Sequence, residues 1–413
     1  MKFDSIIIGG GLSGLTAGIK LAEAGKKVAL VAAGHSTLHF NSGSFDLLGS
    51  DEQGATVASP VEAIAKLGKA HPYSRVADVA ATAKEAKELL SRAGLAVTGD
   101  ASANHYRLTP MGVVKPAWLT INDYLTLTDA KALPYKNVAL VNINGYLDFP
   151  VAFVADAVER LGAKCTIKTI STDDLDAARR SPSEMRATNI AKVLARPGAL
   201  DEVAAAINGA LNGKEDVVLL PAVLGIADDK GVASLAKLVK TTVKFVATLP
   251  PSVPGVRTET LLRKRFQALG GTYLAGDSVK GGKFNGSRLE SVETVNLEGT
   301  SLKADNFVLA TGSFMSRGLS SNYQKVWETV FNLDVDASAT RTDWAKQNVF
   351  DAQPYQEYGV KTNEKLQVSL GGKVIENLYA AGSVLSGHNS LKLGDGTGVS
   401  LLTALQVANN ILK

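Results

Sequence analysis

The sequence predicts an α/β fold: a Rossmann-like domain built from the two ends of the chain, with a second α/β domain inserted between them. Three observations carry the prediction. Near the amino terminus the run IIIGGGLSG leads through Gly9-x-Gly11-x-x-Gly14 into residues with helical spacing. Strand-like and helix-like stretches alternate over residues 136–251. Close to the other end come ADNFVLATGS, ENLYAAGS, a glycine-rich turn LGDGTG and a closing helical stretch. Alternating β and α of this kind builds a mostly parallel sheet flanked by helices.

Taken in order, residues 3–8 (FDSIII) read as a buried strand. Leu12, Leu15, Ile19 and Leu21 then lie at helical spacing, Gly25 closes the helix, and KKVALVAA supplies the next strand. The size of this unit suits a nucleotide-binding βαβ. After Gly49, two helices are expected, around VEAIAKLGKA and DVAATAKEAKELLSRAG. The second series runs KNVALVNI (strand), FVADAVERLG (helix), CTIKTI (strand), a helix around 199–212, EDVVLLPAVLG (strand), ASLAKLVKTT and VKFVATLPP. Beyond Pro254 the chain offers a helix in TETLLRKRFQALGG, short strands joined by turns such as FNGS and LEGT, and the carboxyl-terminal motifs. The expected division is residues 1–60 and 255–413 for one domain and 61–254 for the other.

Composition narrows the class. The chain has 413 residues, 45% of them hydrophobic and 20% charged, which is ordinary for a globular α/β protein. A net charge of +4 with no Lys/Arg block argues against a nucleic-acid partner. One cysteine, Cys165, excludes an internal disulfide, a CxxC pair and an iron–sulfur cluster carried by this chain alone. The polar start is not a signal peptide, and no apolar run reaches the ~18 residues of a membrane span, so a soluble cytoplasmic protein is expected.

The glycine spacing has a physical reason. The first glycine permits a tight turn, the second lets backbone approach a pyrophosphate, and the third permits close helix–strand packing. The helix amino terminus then offers free N–H groups to phosphate. Dinucleotide sites usually add an acid about 20 residues later, on the ribose hydroxyls. Here Val31, Ala32, Ala33, Gly34, His35 and Ser36 occupy that neighbourhood, with neither an acid nor an arginine for a 2′-phosphate. ATG at 310–312 and YAAGS at 379–383 separate the alternatives. Together with the first turn they resemble flavoproteins of the glutathione-reductase-like or fumarate-reductase-like superfamily, in which both strand ends face the flavin.

A narrower resemblance follows from HSTLHFNSGSFDLLG (35–49), AHPYS (70–74), SEMRATNIAK (183–192), PAVLGIADDK (221–230), LPPSVPGVR (249–257), FVLATGSF (307–314) and ENLYAAGSVLSG (376–387). In this order they resemble the B subunit of anaerobic glycerol-3-phosphate dehydrogenase, over nearly the whole chain. The closing turn HNSLKLGDGTGVS departs from the family's glycine-richer, cysteine-containing turn. The resemblance implies a flavoprotein subunit in a complex that oxidises glycerol 3-phosphate to dihydroxyacetone phosphate and passes electrons toward quinone. It implies two partners, a catalytic dehydrogenase subunit and an iron–sulfur subunit at the membrane, through which this chain would sit on the inner face. It implies FMN, which suits the missing acid, whereas the glycine turn itself speaks for a pyrophosphate and hence FAD. A stand-alone flavin oxidoreductase for another small hydroxy or enone substrate, and a cofactor-free scaffold, remain as alternative readings.

Candidate cofactor contacts are Gly9, Gly11, Ser13 and Gly14 in the first turn, Ser36, Ser42, Gly43 and Ser44 in a hydroxyl-rich loop, Thr311 and Gly312, Gly382 and Ser383, and Gly396 and Gly398. Oxidising a secondary alcohol calls for a base near the hydroxyl and a cation for the phosphate. His39 and His388 are the candidate bases. Arg257, after the rigid PPSVPG turn, is the candidate clamp. Arg186 with Asn189, and Asp228 with Asp229, read equally as helix caps and solvated faces.

Overall fold

The computed structural model describes residues 2–413. Strand Lys2–Ile8 runs into helix Leu12–Glu23 and back into strand Val28–Ala32, the βαβ unit expected from the glycine turn. Both strands pair in parallel, Ile7 opposite Leu30 and Ile8 opposite Val31. Val28–Ala32 and the Ile6–Ile8 end of the first strand are apolar and buried, as expected of a parallel sheet covered on both faces. Around them the main sheet is ordered Thr272–Ala275, Val28–Ala32, Lys2–Ile8, Leu302–Leu309. The strand Leu302–Leu309 then forks. Its start pairs antiparallel with Arg288–Thr294, which pairs with Val279–Asn285; its end pairs parallel with Lys373–Ala380. This fork brings the ends of Lys2–Ile8, Leu302–Leu309 and Lys373–Ala380 side by side, each followed by a small-residue turn.

Helix Leu12–Glu23 packs against helices Val253–Ala268 and Gly396–Leu412. At the first contact the absence of a side chain matters: a Cβ on Gly18 would lie 3.0 Å from the Phe266 ring. The carboxyl-terminal helix is buried from Val399 to Ala408 except for Ser400 and reads as a core helix.

A second sheet, ordered Lys164–Ile170, Asn137–Ile143, Val217–Pro221, Thr242–Val246, is parallel throughout. It has its own core, from Leu108 to Val253. Leu108 packs in this core, Trp118, Leu119 and Ile121 pack in the first, and the chain stays with the second core from Tyr124, later than the expected boundary at 61. Ile64, Tyr73, Val76, Ala83, Leu89 and Leu90 all belong to the first core. The reason is the amphipathic helix Val79–Arg92, whose buried face lies on the carboxyl-terminal helix.

The expected helix at 61–70 is only the single turn Pro60–Ile64, and residues 97–127 hold five short antiparallel strands that the alternation did not show. Strands of two to four residues are too short to display a period. Arg257 also sits differently from expectation. Ser252 caps helix Val253–Ala268, accepting a hydrogen bond from Gly255 N at 3.0 Å, so Arg257 lies inside this helix rather than on the turn before it.

Candidate functional site

The glycine turn is dictated by its own backbone at two positions. Gly9 has φ +120°, and a Cβ there would lie 2.2 Å from the Ala310 carbonyl oxygen; a Cβ on Gly14 would lie 1.9 Å from the Gly9 carbonyl oxygen. These glycines let the first helix start close against the sheet. Gly11 is different. It has φ −81° and ψ −170°, open to any residue, and a Cβ there would meet only the Ser36 side chain at 3.7 Å. Neither backbone nor packing requires glycine at this position. What its missing side chain leaves free is the space in front of the helix.

That space is a cavity of about 430 Å³. Its floor is Gly9–Ser13. Val31 and Ala33–Thr37 line one side, Asp277–Val279 lie beside them, and Ala310–Gly312, Met315–Arg317, Ala381, Ser383 and Ser400 close the other end. The helix below it starts with no side-chain cap and no acid in its first turn, so its leading N–H groups face the cavity without a competing partner. Thr311 Oγ1 is buried with no hydrogen-bond partner among the described residues. A phosphate-bearing flavin fits this donor set: free amides, small residues and an orphan hydroxyl.

Of the residues expected from sequence, the structure therefore brings together Gly9, Gly11, Ser13, Ser36, Thr311, Gly312 and Ser383 on one cavity wall or another. Gly14 and Gly382 stand behind it: a Cβ on Gly382 would lie 2.0 Å from Ser13 Oγ, so this glycine seats the final strand end against the first helix. Ser42, Gly43 and Ser44 do not line the cavity. Gly43 N donates to Asn41 Oδ1, Asn41 Nδ2 donates to the Ser44 carbonyl, and Ser44 pairs with Thr120 in a small sheet. Gly396 and Gly398 are likewise elsewhere. Gly398 N donates to the Asp46 carbonyl, and a Cβ there would lie 2.2 Å from Tyr73 Oη. The closing turn thus packs on Asp46–Leu47 and Tyr73, and its helix reaches the cavity only through Ser400, which sequence reasoning missed.

His39, His388 and Arg257 fall in three separate places, and none lines this cavity. His39 is mostly buried behind its rim with Nε2 3.3 Å from Glu259 Oε2. Burial pulls its imidazole below the ordinary value, against the opposing charge of Glu259. His388 belongs to a buried cluster: Asp395 lies between His71, 2.8 Å away, and His388, 3.3 Å away. Burial alone would raise the Asp395 carboxyl, but the two histidines outweigh it and hold it well below the usual carboxylate range. The sequence hid this pairing because 324 residues separate His71 from Asp395.

Arg257 is buried between the two cores, 3.4 Å from Asp123 Oδ2, beside a separate cavity of about 250 Å³ that also holds Asp229. Its Nε and Nη1 are buried without a partner among the described residues. Arg186 pairs with Asp148 at 3.0 Å on the surface, and Asp229 caps helix Lys230–Leu238 by position, the bland reading of each. Asp277 lies beside the end of the second strand, its backbone N donating to the Ala32 carbonyl at 3.2 Å, while its carboxylate accepts from Ser278 N and Asn296 N. It arrives from a strand connection about 245 residues downstream, beyond the reach of any local motif.

Comparison with known proteins places the whole chain. The family model described as FAD binding domain matches residues 4–399. The B subunit of anaerobic glycerol-3-phosphate dehydrogenase from Yersinia enterocolitica is 41% identical over 419 aligned positions, covering 100% of this chain and 99% of its own. The protein of the same name from Pectobacterium carotovorum is 39% identical, with the same coverage. Among solved structures, the 3-ketosteroid delta1-dehydrogenase of Sterolibacterium denitrificans aligns over 99% of both chains at 11% identity and a TM-score of 0.43.

Proposed function

The chain belongs to the FAD-binding-domain family and, within it, to the B subunits of anaerobic glycerol-3-phosphate dehydrogenase, and on that premise we propose that it is the flavin-bearing member of such a complex. Its reaction is the oxidation of glycerol 3-phosphate to dihydroxyacetone phosphate, with electrons passed toward quinone. The observation that carries the reading is the cavity over the glycine turn, in a chain that matches its relatives from end to end.

The flavin supplies the redox chemistry when bound, taking up two electrons as a secondary alcohol becomes a ketone. The chain's part is to hold and orient it. The amides of the first helical turn and the Ser13 hydroxyl would carry phosphate, and Thr311 and Ser383 would face the other end. The extent of the cavity favours FAD over FMN. It continues past the phosphate-binding turn along the end of Val28–Ala32, to Gly34, His35 and Asp277, the side on which an adenosine half would extend. No member of the trio His39, His388 and Arg257 reaches the cavity, so their proposed role is to position its surroundings rather than to move the substrate's proton.

The proposed partners are a catalytic dehydrogenase subunit and an iron–sulfur subunit that holds the assembly at the membrane. Two features support the division of labour. Cys165 is the chain's sole cysteine, half-buried, with its thiol pushed up to about 11 by burial and by Glu159, and a lone cysteine does not by itself hold an iron–sulfur cluster. Among the described residues no helix is long and apolar enough to cross a membrane.

Acid release and chromatography of the cofactor from the purified chain test the reading. FAD in about one equivalent is expected, and bleaching of its absorbance by glycerol 3-phosphate in the assembled complex. FMN would place a single phosphate at the turn and refute the adenosine assignment. A chain that takes up neither flavin would refute the redox role and leave the scaffold.

A further inference from the structure

At the cavity rim three side chains from two regions of the chain converge: His35, which also lines the cavity wall, and His39 and Glu259 behind it. His35 follows the second strand, His39 lies on the short helical turn Thr37–Phe40, and Glu259 projects from helix Val253–Ala268. One ligand atom from each, an imidazole nitrogen or a carboxylate oxygen, lies within 4.8 Å of the other two. We propose that His35, His39 and Glu259 form a site for a divalent transition-metal ion, zinc being the best-suited probe.

The geometry is close to what a metal needs. Zinc bound at ~2.0–2.1 Å in a tetrahedral array sets its ligand atoms about 3.3 Å apart. His39 Nε2 and Glu259 Oε2 are 3.3 Å apart already, so one edge of the tetrahedron stands in place. The third ligand, His35 Nδ1, lies 3.9 Å from Glu259 Oε1 on a ring that is 79% exposed, and a small swing completes the face. The two imidazoles stack with centroids 4.3 Å apart, side by side rather than pointing away from each other.

The two inner ligands are held from outside. Ser36 Oγ donates to Glu259 Oε2 at 2.9 Å, and Ser36 N donates to the same oxygen at 3.3 Å. Such outer contacts fix the direction of a metal-binding carboxylate. The backbone at His39 is pinned by Ser252 N, which donates to the His39 carbonyl at 2.8 Å. Two neutral imidazoles and one carboxylate are a ligand set that suits zinc, and the exposed side of His35 leaves the fourth position to water or to a group entering from the rim. Arg263, a neighbouring cation, lies over the Tyr273 ring. A hydrogen-bonded His39–Glu259 pair would account for two of these residues and a place on the cavity wall for the third; the metal reading rests on a ligand atom of all three lying within 4.8 Å of the others.

Because His35 also lines the flavin cavity, the test reads metal uptake and flavin content separately. The untagged, chelator-treated chain with its natural cofactor is titrated with zinc sulfate by calorimetry, alongside His35→Ala, His39→Ala and the double variant. Saturable uptake of one zinc per chain is expected, with affinity at least tenfold weaker in either single variant and uptake abolished in the double. His35→Ala removes an exposed ring on the cavity wall rather than a buried one, so it reports on the metal site even if His39→Ala folds poorly, and its flavin content shows whether the cavity is kept. Absence of stoichiometric uptake by the wild type, or uptake undiminished in His35→Ala, would overturn the proposal. Flavin content, read from the same samples, fails separately.

Discussion

Gly11→Ala separates a glycine kept for a ligand from one kept for the fold. The backbone there has φ −81° and ψ −170°, and the added methyl meets only the Ser36 side chain at 3.7 Å, an ordinary contact. The folded chain without cofactor should therefore keep its stability within about 1 kcal/mol, with any change leaning toward stabilisation, since alanine restricts the unfolded chain. In the cavity the same methyl stands in front of the first-turn amides, where phosphate oxygens must approach. Loss of one or two hydrogen bonds to a charged group costs about 2–4 kcal/mol, or roughly 30- to 1,000-fold in flavin affinity. Calorimetric titration of the cofactor-stripped variant with FAD, beside a thermal melt of the same sample, measures both. Affinity within threefold of wild type would show that no phosphate lies at this turn. Destabilisation of the stripped chain by more than about 2 kcal/mol would show that Gly11 serves the fold after all.

Gly14→Ala should behave oppositely. Its methyl would lie 1.9 Å from the Gly9 carbonyl, so a loss of stability above about 3 kcal/mol is expected in urea denaturation, and a normal melt would refute the packing account. Asp395→Ala removes the carboxylate between His71 and His388. A loss of about 3–5 kcal/mol is expected from the stranded buried partners, and a loss below about 1 kcal/mol would mean the cluster is not a stabilising one. His105, hydrogen-bonded to Thr120, has its imidazole pushed down to about 4 by burial, helped by Arg107. Its folded value lies below the unfolded one near 6.5, so the unfolded chain binds more protons in between. The contribution is whole above about pH 6.5 and is lost as pH falls toward 4. Discounted for the ring's partial exposure, it amounts to about 1–2 kcal/mol. His105→Gln should flatten stability against pH over that window, and an unchanged slope would refute the assignment.

Local regularity made much of this protein readable from its residues. Apolar runs two-faced enough for a parallel sheet, helical spacing after Gly14 and the small residues of ATG and YAAGS are short-range patterns, and they marked the two sheets and most of the cavity wall. Asp277, Ser400 and Arg317 line the same cavity without any local sign, because a residue reaches a site through its strand's place in the sheet, which neighbours in the chain do not encode. The closing turn shows the limit from the other side: Gly396 and Gly398 of LGDGTG read as cofactor contacts, yet the turn is spent on Tyr73, Asp46 and a buried His–Asp–His cluster. Arg257 and His39, which the residue types alone marked as chemical, were claimed by Asp123 and Glu259 from distant segments. The sequence by itself determined the class of fold, the glycine turn and the family, since each rests on periodicity, backbone freedom or order along the chain. Only the tertiary structure decided which polar groups share a site, because burial pairs charges by distance in space and not by separation in sequence.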